Sequence, residues 1–121
     1  MLKITEGNRL ALRDARMKQA ETRLSKILAR HWPETCAALG PEKLLILVRR
    51  GLDEAFAYGF HGEGDVARYL NLMFAFGPGF DLSGAYPAIA SHLNHDGMDE
   101  SARMDLICAL AEEVLADGRR T

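Results

Sequence analysis

The sequence is short of the residues from which small catalytic and metal-binding sites are usually built. Its two cysteines, Cys36 and Cys108, stand far apart and outside any CxxC or Cys/His spacing. That pattern encodes neither a zinc box nor a redox pair and leaves both as small apolar residues for the interior. β-Branched residues are few and no stretch alternates apolar with polar residues, so strands are not expected. No run approaches the roughly 18 apolar residues that a membrane span requires. The opening, MLKITEGNRLALRD, lacks the apolar run of a secretory leader, and a cytoplasmic location is the expectation. Aromatic residues are nearly absent outside one segment: Trp32 stands alone, and the other eight lie between Phe56 and Tyr86.

What is present suits an ordinary folded domain. A chain of 121 residues with 48% hydrophobic and 26% charged residues can bury about two-thirds of its unfolded surface in one core. Its net charge of −2 hides an asymmetry: residues 1–31 hold eight Lys/Arg against three Asp/Glu, and residues 32–121 hold seven against fourteen. The two parts therefore carry +5 and −7. A basic segment can meet nucleic acid, but here Asp14 and Glu21 interrupt the basic residues and no aromatic is interleaved to stack on bases. The asymmetry can equally let the first helix lie on the chain's own acidic body or meet an acidic partner.

The periodicity predicts an all-α, single-domain orthogonal bundle of about five helices over residues 1–121. Its N-terminal helix is long, basic and partly projecting, within residues 1–31, and a helical body covers residues 40–118. The first helix runs from about Asn8 to His31 with Leu10, Met17, Leu24 and His31 at seven-residue intervals; its apolar stripe is thin before Leu24. Trp32-Pro33 ends it. After one short turn of helix over residues 34–39, Gly40-Pro41 opens a second long helix with Leu44, Leu45, Val48, Leu52, Ala55 and Phe56 on one face and Gly59 as its stop. A third follows Gly62 and runs through Val66, Tyr69, Leu70, Met73 and Phe74 to Gly77-Pro78. Tyr86-Pro87 starts a short fourth through Ile89 and Leu93. Asp99 caps a fifth carrying Ala102, Leu106, Ile107, Leu110, Ala111 and Val114, closed by Gly118.

Few residues in this pattern point to chemistry. His92 and His95, three apart beside Asp96, could turn two imidazoles toward one metal, but no third ligand is fixed; interaction with last-turn carbonyls is the plainer role. The loop GPGFDLSGAYP follows a helix and lacks Lys-Ser/Thr, so it is not a phosphate loop; Phe80 and Tyr86 pin it by burial, and Asp81 accepts from its backbone. Asp53-Glu54 and Glu112-Glu113 are helix neighbours about 100° apart and read as solvated faces. Arg49, Arg50 and Arg68 are candidate buried or interface ion-pair donors, Arg49 having Asp53 four residues on as a surface alternative. No catalytic, cofactor or metal residue is assigned, and a non-enzymatic protein is expected. The candidate partner-binding residues are Leu10, Arg13, Arg16 and Met17 of the first helix, with Tyr58, Phe60 and Phe76 as the aromatics that the helix faces leave over.

The stretch LLILVRRGLDEAFAYGFHGEGDVARYLNLMFAFGPGFD, followed by Tyr86-Pro87, resembles a group of small all-helical bacterial proteins encoded among type VI secretion genes. The likeness covers most of the chain: a charged first helix, the Trp32-Pro33 break, Val48 to Gly51, Asp65 to Met73, and Gly77 to Asp81. It implies an accessory role near the secreted spike, as an effector co-chaperone or adaptor whose partner is an effector, its chaperone or a spike component. It carries over no catalytic residue. An immunity protein that blocks a basic toxin site with an acidic surface is the alternative. Small metal-binding and nucleic-acid-binding readings stand below both. A thin helix stripe can also be satisfied in a two-fold pair, which keeps a homodimer open.

Overall fold

The computed structural model describes the backbone of residues 6–95 and 97–120 and the side chains of residues 16–95 and 97–117. Five helices make up the chain in the order α1 Glu6–His31, α2 Pro33–Ala57, α3 Glu63–Phe76, α4 Pro87–Leu93 and α5 Glu100–Arg120, with no strand among the described residues. The fold is all-α. It divides into two compact units, residues 1–48 and 49–121, with the division inside α2.

In the first unit, Arg30 and His31 lie in the last turn of α1, where the helix dipole favours positive charge. The amide of Trp32 closes that turn on the carbonyl of Leu28 at 2.7 Å, and Pro33 starts α2. Gly40, at φ 79° and ψ 165°, breaks α2 into stretches 33–39 and 41–57. A Cβ there would meet nothing within 4 Å, so the backbone angle and not space calls for glycine. Leu24, Leu28, Cys36 and Val48 are the buried apolar residues among the described residues of this unit.

The second unit begins with the last turns of α2, which approach α3 closely at Gly51. A Cβ on Gly51 would overlap Cδ2 of Leu70 and stand 3.3 Å from Cε of Met73. The helix ends in a Schellman turn: Phe60 donates to the carbonyl of Ala55 at 2.9 Å and Gly59, at φ 92°, donates to Phe56 at 3.0 Å. That turn folds Phe60 back onto the helix it follows, and the ring is fully buried. Phe56, placed by periodicity on the core face, is instead 37% exposed, with its ring 5.5 Å from that of His61.

Helix α3 carries Glu63 and Asp65 in its first turn and buries Val66, Tyr69, Leu70, Leu72 and Met73. Gly77, at φ 96°, stops it by donating to Met73 at 2.8 Å. Pro87 opens α4. Helix α5 packs on both α3 and α4. The carbonyl of Asp99 accepts from the amide of Arg103 at 2.9 Å, as an N-cap residue does. Two expectations for α5 are corrected. It runs through Gly118 to Arg120. Its inward row is Arg103, Met104, Ile107 and Ala111, whereas Leu106 and Val114 are each 37% exposed.

Candidate functional site

Two polar arrangements and one groove give the second unit its chemical character. The first centres on Arg103, which is only 6% exposed. Helix α5 lays its guanidinium over the Phe60 ring, 4.3 Å from the centroid. Nη1 donates to the carbonyls of Leu93 at 3.2 Å and His95 at 3.1 Å, and Nη2 donates to the carbonyl of Tyr58. Those carbonyls sit at or just past the C-terminal ends of α4 and α2, where unpaired carbonyls and helix dipoles concentrate negative potential. The hydrogen bonds of this buried cation go to helix ends and loop backbone, and Nε is left without a partner. Arg103 joins α2, α4 and α5 around one aromatic ring.

The second arrangement joins two tyrosines to two carboxylates. Tyr58 donates to Oδ2 of Asp81 at 2.7 Å, and Tyr69 donates to Oε2 of Glu54 at 2.7 Å. Glu54 also accepts from Nε of Arg50 at 2.9 Å. Burial, reinforced by the neighbouring carboxylate, raises the pKa of both phenols. They are therefore held as hydrogen-bond donors and not as bases or nucleophiles at neutral pH. The rings continue the cluster, Tyr58 to Tyr69 at 6.1 Å, Tyr69 to Phe80 at 5.5 Å, and Phe76 between Phe80 at 6.0 Å and Tyr86 at 4.5 Å. Asp81 accepts from Tyr58 in place of its own loop backbone, and its buried Oδ1 has no partner.

On the outer side of α3, Arg68 bonds Asp105 and lies 3.9 Å from Asp65, which accepts from Ser101 at 2.9 Å. Burial raises the thiol pKa of Cys108, a shift that Arg68 partly offsets. The tendency of that thiol is thus away from thiolate reactivity. Burial also raises the thiol pKa of Cys36.

The sequence-derived candidates separate in this setting. Arg16 is exposed and Met17 half-buried on α1, while the side chains of Leu10 and Arg13 lie outside the described residues. Tyr58 and Phe76 are half-buried and held in the aromatic cluster. Phe60 is excluded as a partner contact, because Arg103 covers it and no part of the ring reaches solvent. Arg49, Arg50 and Arg68 are exposed, and the buried arginine among the described residues is Arg103. Glu54 is not a solvated neighbour of Asp53 but the shared acceptor of Arg50 and Tyr69.

His92 directs Nδ1 to the carbonyl of Ala88 at 2.8 Å, which requires a proton on that nitrogen, whereas Nδ1 of His95 accepts from the amide of Gly97 at 3.2 Å. Asp96 lies outside the described residues. Among the described residues no group of three or more His, Cys, Asp or Glu converges as a metal site would. None of their helices is long and apolar enough to cross a membrane.

The groove lies between the start of α4 and the last turns of α5. It has a volume of about 260 Å³, with Tyr86, Pro87 and Ile89 on one side and Leu110, Glu113, Val114 and Asp117 on the other. It is open to solvent, apolar along its floor and acidic along the α5 edge. No protein-family model, curated protein or solved structure matches the chain.

Proposed function

We propose that the chain is a protein-binding module, an accessory protein of the type VI secretion kind that its sequence resembles, acting as an adaptor or effector co-chaperone. The observation that carries this reading is the gradient of burial along α1. Glu21, Leu24 and Leu28 are buried, Met17 and Ala20 only half-buried, and Arg16, Lys18 and Gln19 exposed. A helix of 26 residues whose cover thins from Leu24 back to Arg16, within a segment of charge +5, is suited to laying a basic, weakly apolar face on an acidic partner. In the second unit, the Arg103 and tyrosine clusters tie helices and loops to one another, which suits a rigid platform better than a reacting centre. Replacing Leu10 and Met17 by Asp should abolish co-purification with products of adjacent genes while leaving helix content and melting temperature close to the parent. Undiminished co-purification with an intact fold would sink the reading.

A second reading, an immunity protein, draws on the charge of residues 49–121, which hold twelve Asp/Glu against six Lys/Arg. An acidic surface of this kind can occlude a basic active site. It requires that cells lacking the protein be killed by their siblings, and survival in direct competition removes it.

A further inference from the structure

Two parallel rows on α5 run into the groove between α4 and α5, which Leu110, Glu113, Val114 and Asp117 line. Leu106, Leu110 and Val114 recur every four residues, and Leu106 and Val114 are each 37% exposed while Leu110 is half-buried. One residue earlier in each step run Asp105, Ala109, Glu113 and Asp117. Residues four apart form a ridge inclined to the helix axis, the element that interdigitates when one helix packs on another. At 1.5 Å per residue the apolar row extends about 12 Å, two turns of a facing helix. The acidic row beside it ends in two exposed carboxylates, Glu113 and Asp117, and both line the groove. Asp105, at the other end, is taken by Arg68.

We propose that this groove is a docking site for a basic amphipathic helix of another protein, with an aliphatic row seated against Leu110 and Val114 and Lys or Arg facing Glu113 and Asp117. Charge complementarity selects the occupant. An acidic helix would meet two like charges along the rim, and a wholly apolar one would leave both carboxylates desolvated without partners. The site is independent of the α1 face invoked above, so failure of either leaves the other standing.

The test uses the full chain and a fluorescein-labelled synthetic helix of Leu and Lys, roughly 18 residues or five turns long, followed by anisotropy. A Leu/Glu helix of the same pattern is the control. Saturable binding of the Leu/Lys helix alone is expected. V114D should weaken it about tenfold, although that change adds negative charge. The pair E113Q and D117N should weaken it about fivefold and flatten its salt dependence. Adventitious attraction of a cationic peptide to an acidic protein predicts the opposite for V114D, equal or tighter binding, and that result would overturn the proposal. So would unchanged affinity in the charge-neutralised pair, or a dimer of the chain that V114D dissociates, which would make the face an interface between copies. Far-UV circular dichroism and melting temperature of each variant establish that Val114, already part-exposed, has been changed without unfolding.

Discussion

Replacing Arg103 by Met removes the one buried cation among the described residues while keeping most of its aliphatic stem, so packing changes little and the polar chemistry is isolated. Three hydrogen bonds from a charged donor would each contribute about 1.5–3 kcal/mol net, and a desolvated cation over an aromatic face about 2 kcal/mol. These do not simply add. Removing the charge also removes a desolvation cost of several kcal/mol, and in the variant water can reach the carbonyls of Tyr58 and His95, whose bonds to Arg103 are only part-buried. The bond to Leu93 is buried. Its carbonyl therefore loses a partner without replacement, at about 1–3 kcal/mol. With the lost ring contact, the expected net destabilisation is about 3 kcal/mol. Urea denaturation followed by far-UV circular dichroism reads this as a midpoint lower by about 1.5 M for a slope near 2 kcal/mol per M. Arg103→Lys should fall between, because an ammonium reaches fewer of the three carbonyls and lacks the planar fork. A Met variant within about 0.5 kcal/mol of the parent would refute the idea that Arg103 joins the three helices, since surface-like substitutions behave in that way.

Two further perturbations test the packing and the phenol cluster. Gly51→Ala should destabilise by about 1 kcal/mol, because the overlap with buried Leu70 costs about 1–3 kcal/mol as overpacking and outweighs the gain of up to about 1 kcal/mol in helix propensity; a more stable variant in the same urea titration would show that α2 and α3 can move apart freely. Tyr69 holds its proton to higher pH in the folded state than in the unfolded chain, so its contribution is complete below about pH 10 and declines as pH rises beyond it. Tyr69→Phe should flatten the alkaline loss of stability, and an unchanged slope of stability against pH between about pH 10 and 11.5 would count against the cluster.

How much of this was legible in the sequence depends on what each residue had to signal. Helix boundaries were legible because glycine and proline mark them by backbone restriction alone: Pro33, Gly40-Pro41, Gly59, Gly77 and Pro87 all stand where a helix starts, breaks or stops. The exchange between Phe56 and Phe60 was not, because periodicity follows a helix only to its end. Beyond Ala57 a Schellman turn reverses the chain and makes Phe60 a core aromatic in place of Phe56. The signal was nonetheless present, since a glycine just past a helix end predicts an apolar contact from the residue after it. Arg103 was hidden for a related reason. It lies four residues before Ile107 and eight before Ala111 on the same face, but a search for apolar rows passes over a charged residue.

That omission misassigned a whole row of α5. With Arg103 and Met104 turned inward, the core needs only the narrow arc through Ile107 and Ala111. Leu106 and Leu110, which the sequence pattern had merged into the core face, lie beside that arc, and Val114, seven residues after Ile107 and so on its face, stands in the exposed stretch 112–117; together they leave apolar surface uncovered. A helix whose apolar residues span more than one core-facing stripe either is buried all round or presents the surplus to something else. Helix α5 is not buried all round, because residues 112–117 are exposed. The uncovered row thus has two sources, a core arc that Arg103 and Met104 turn away from Leu106, and last turns of α5 that expose Val114 beside the groove.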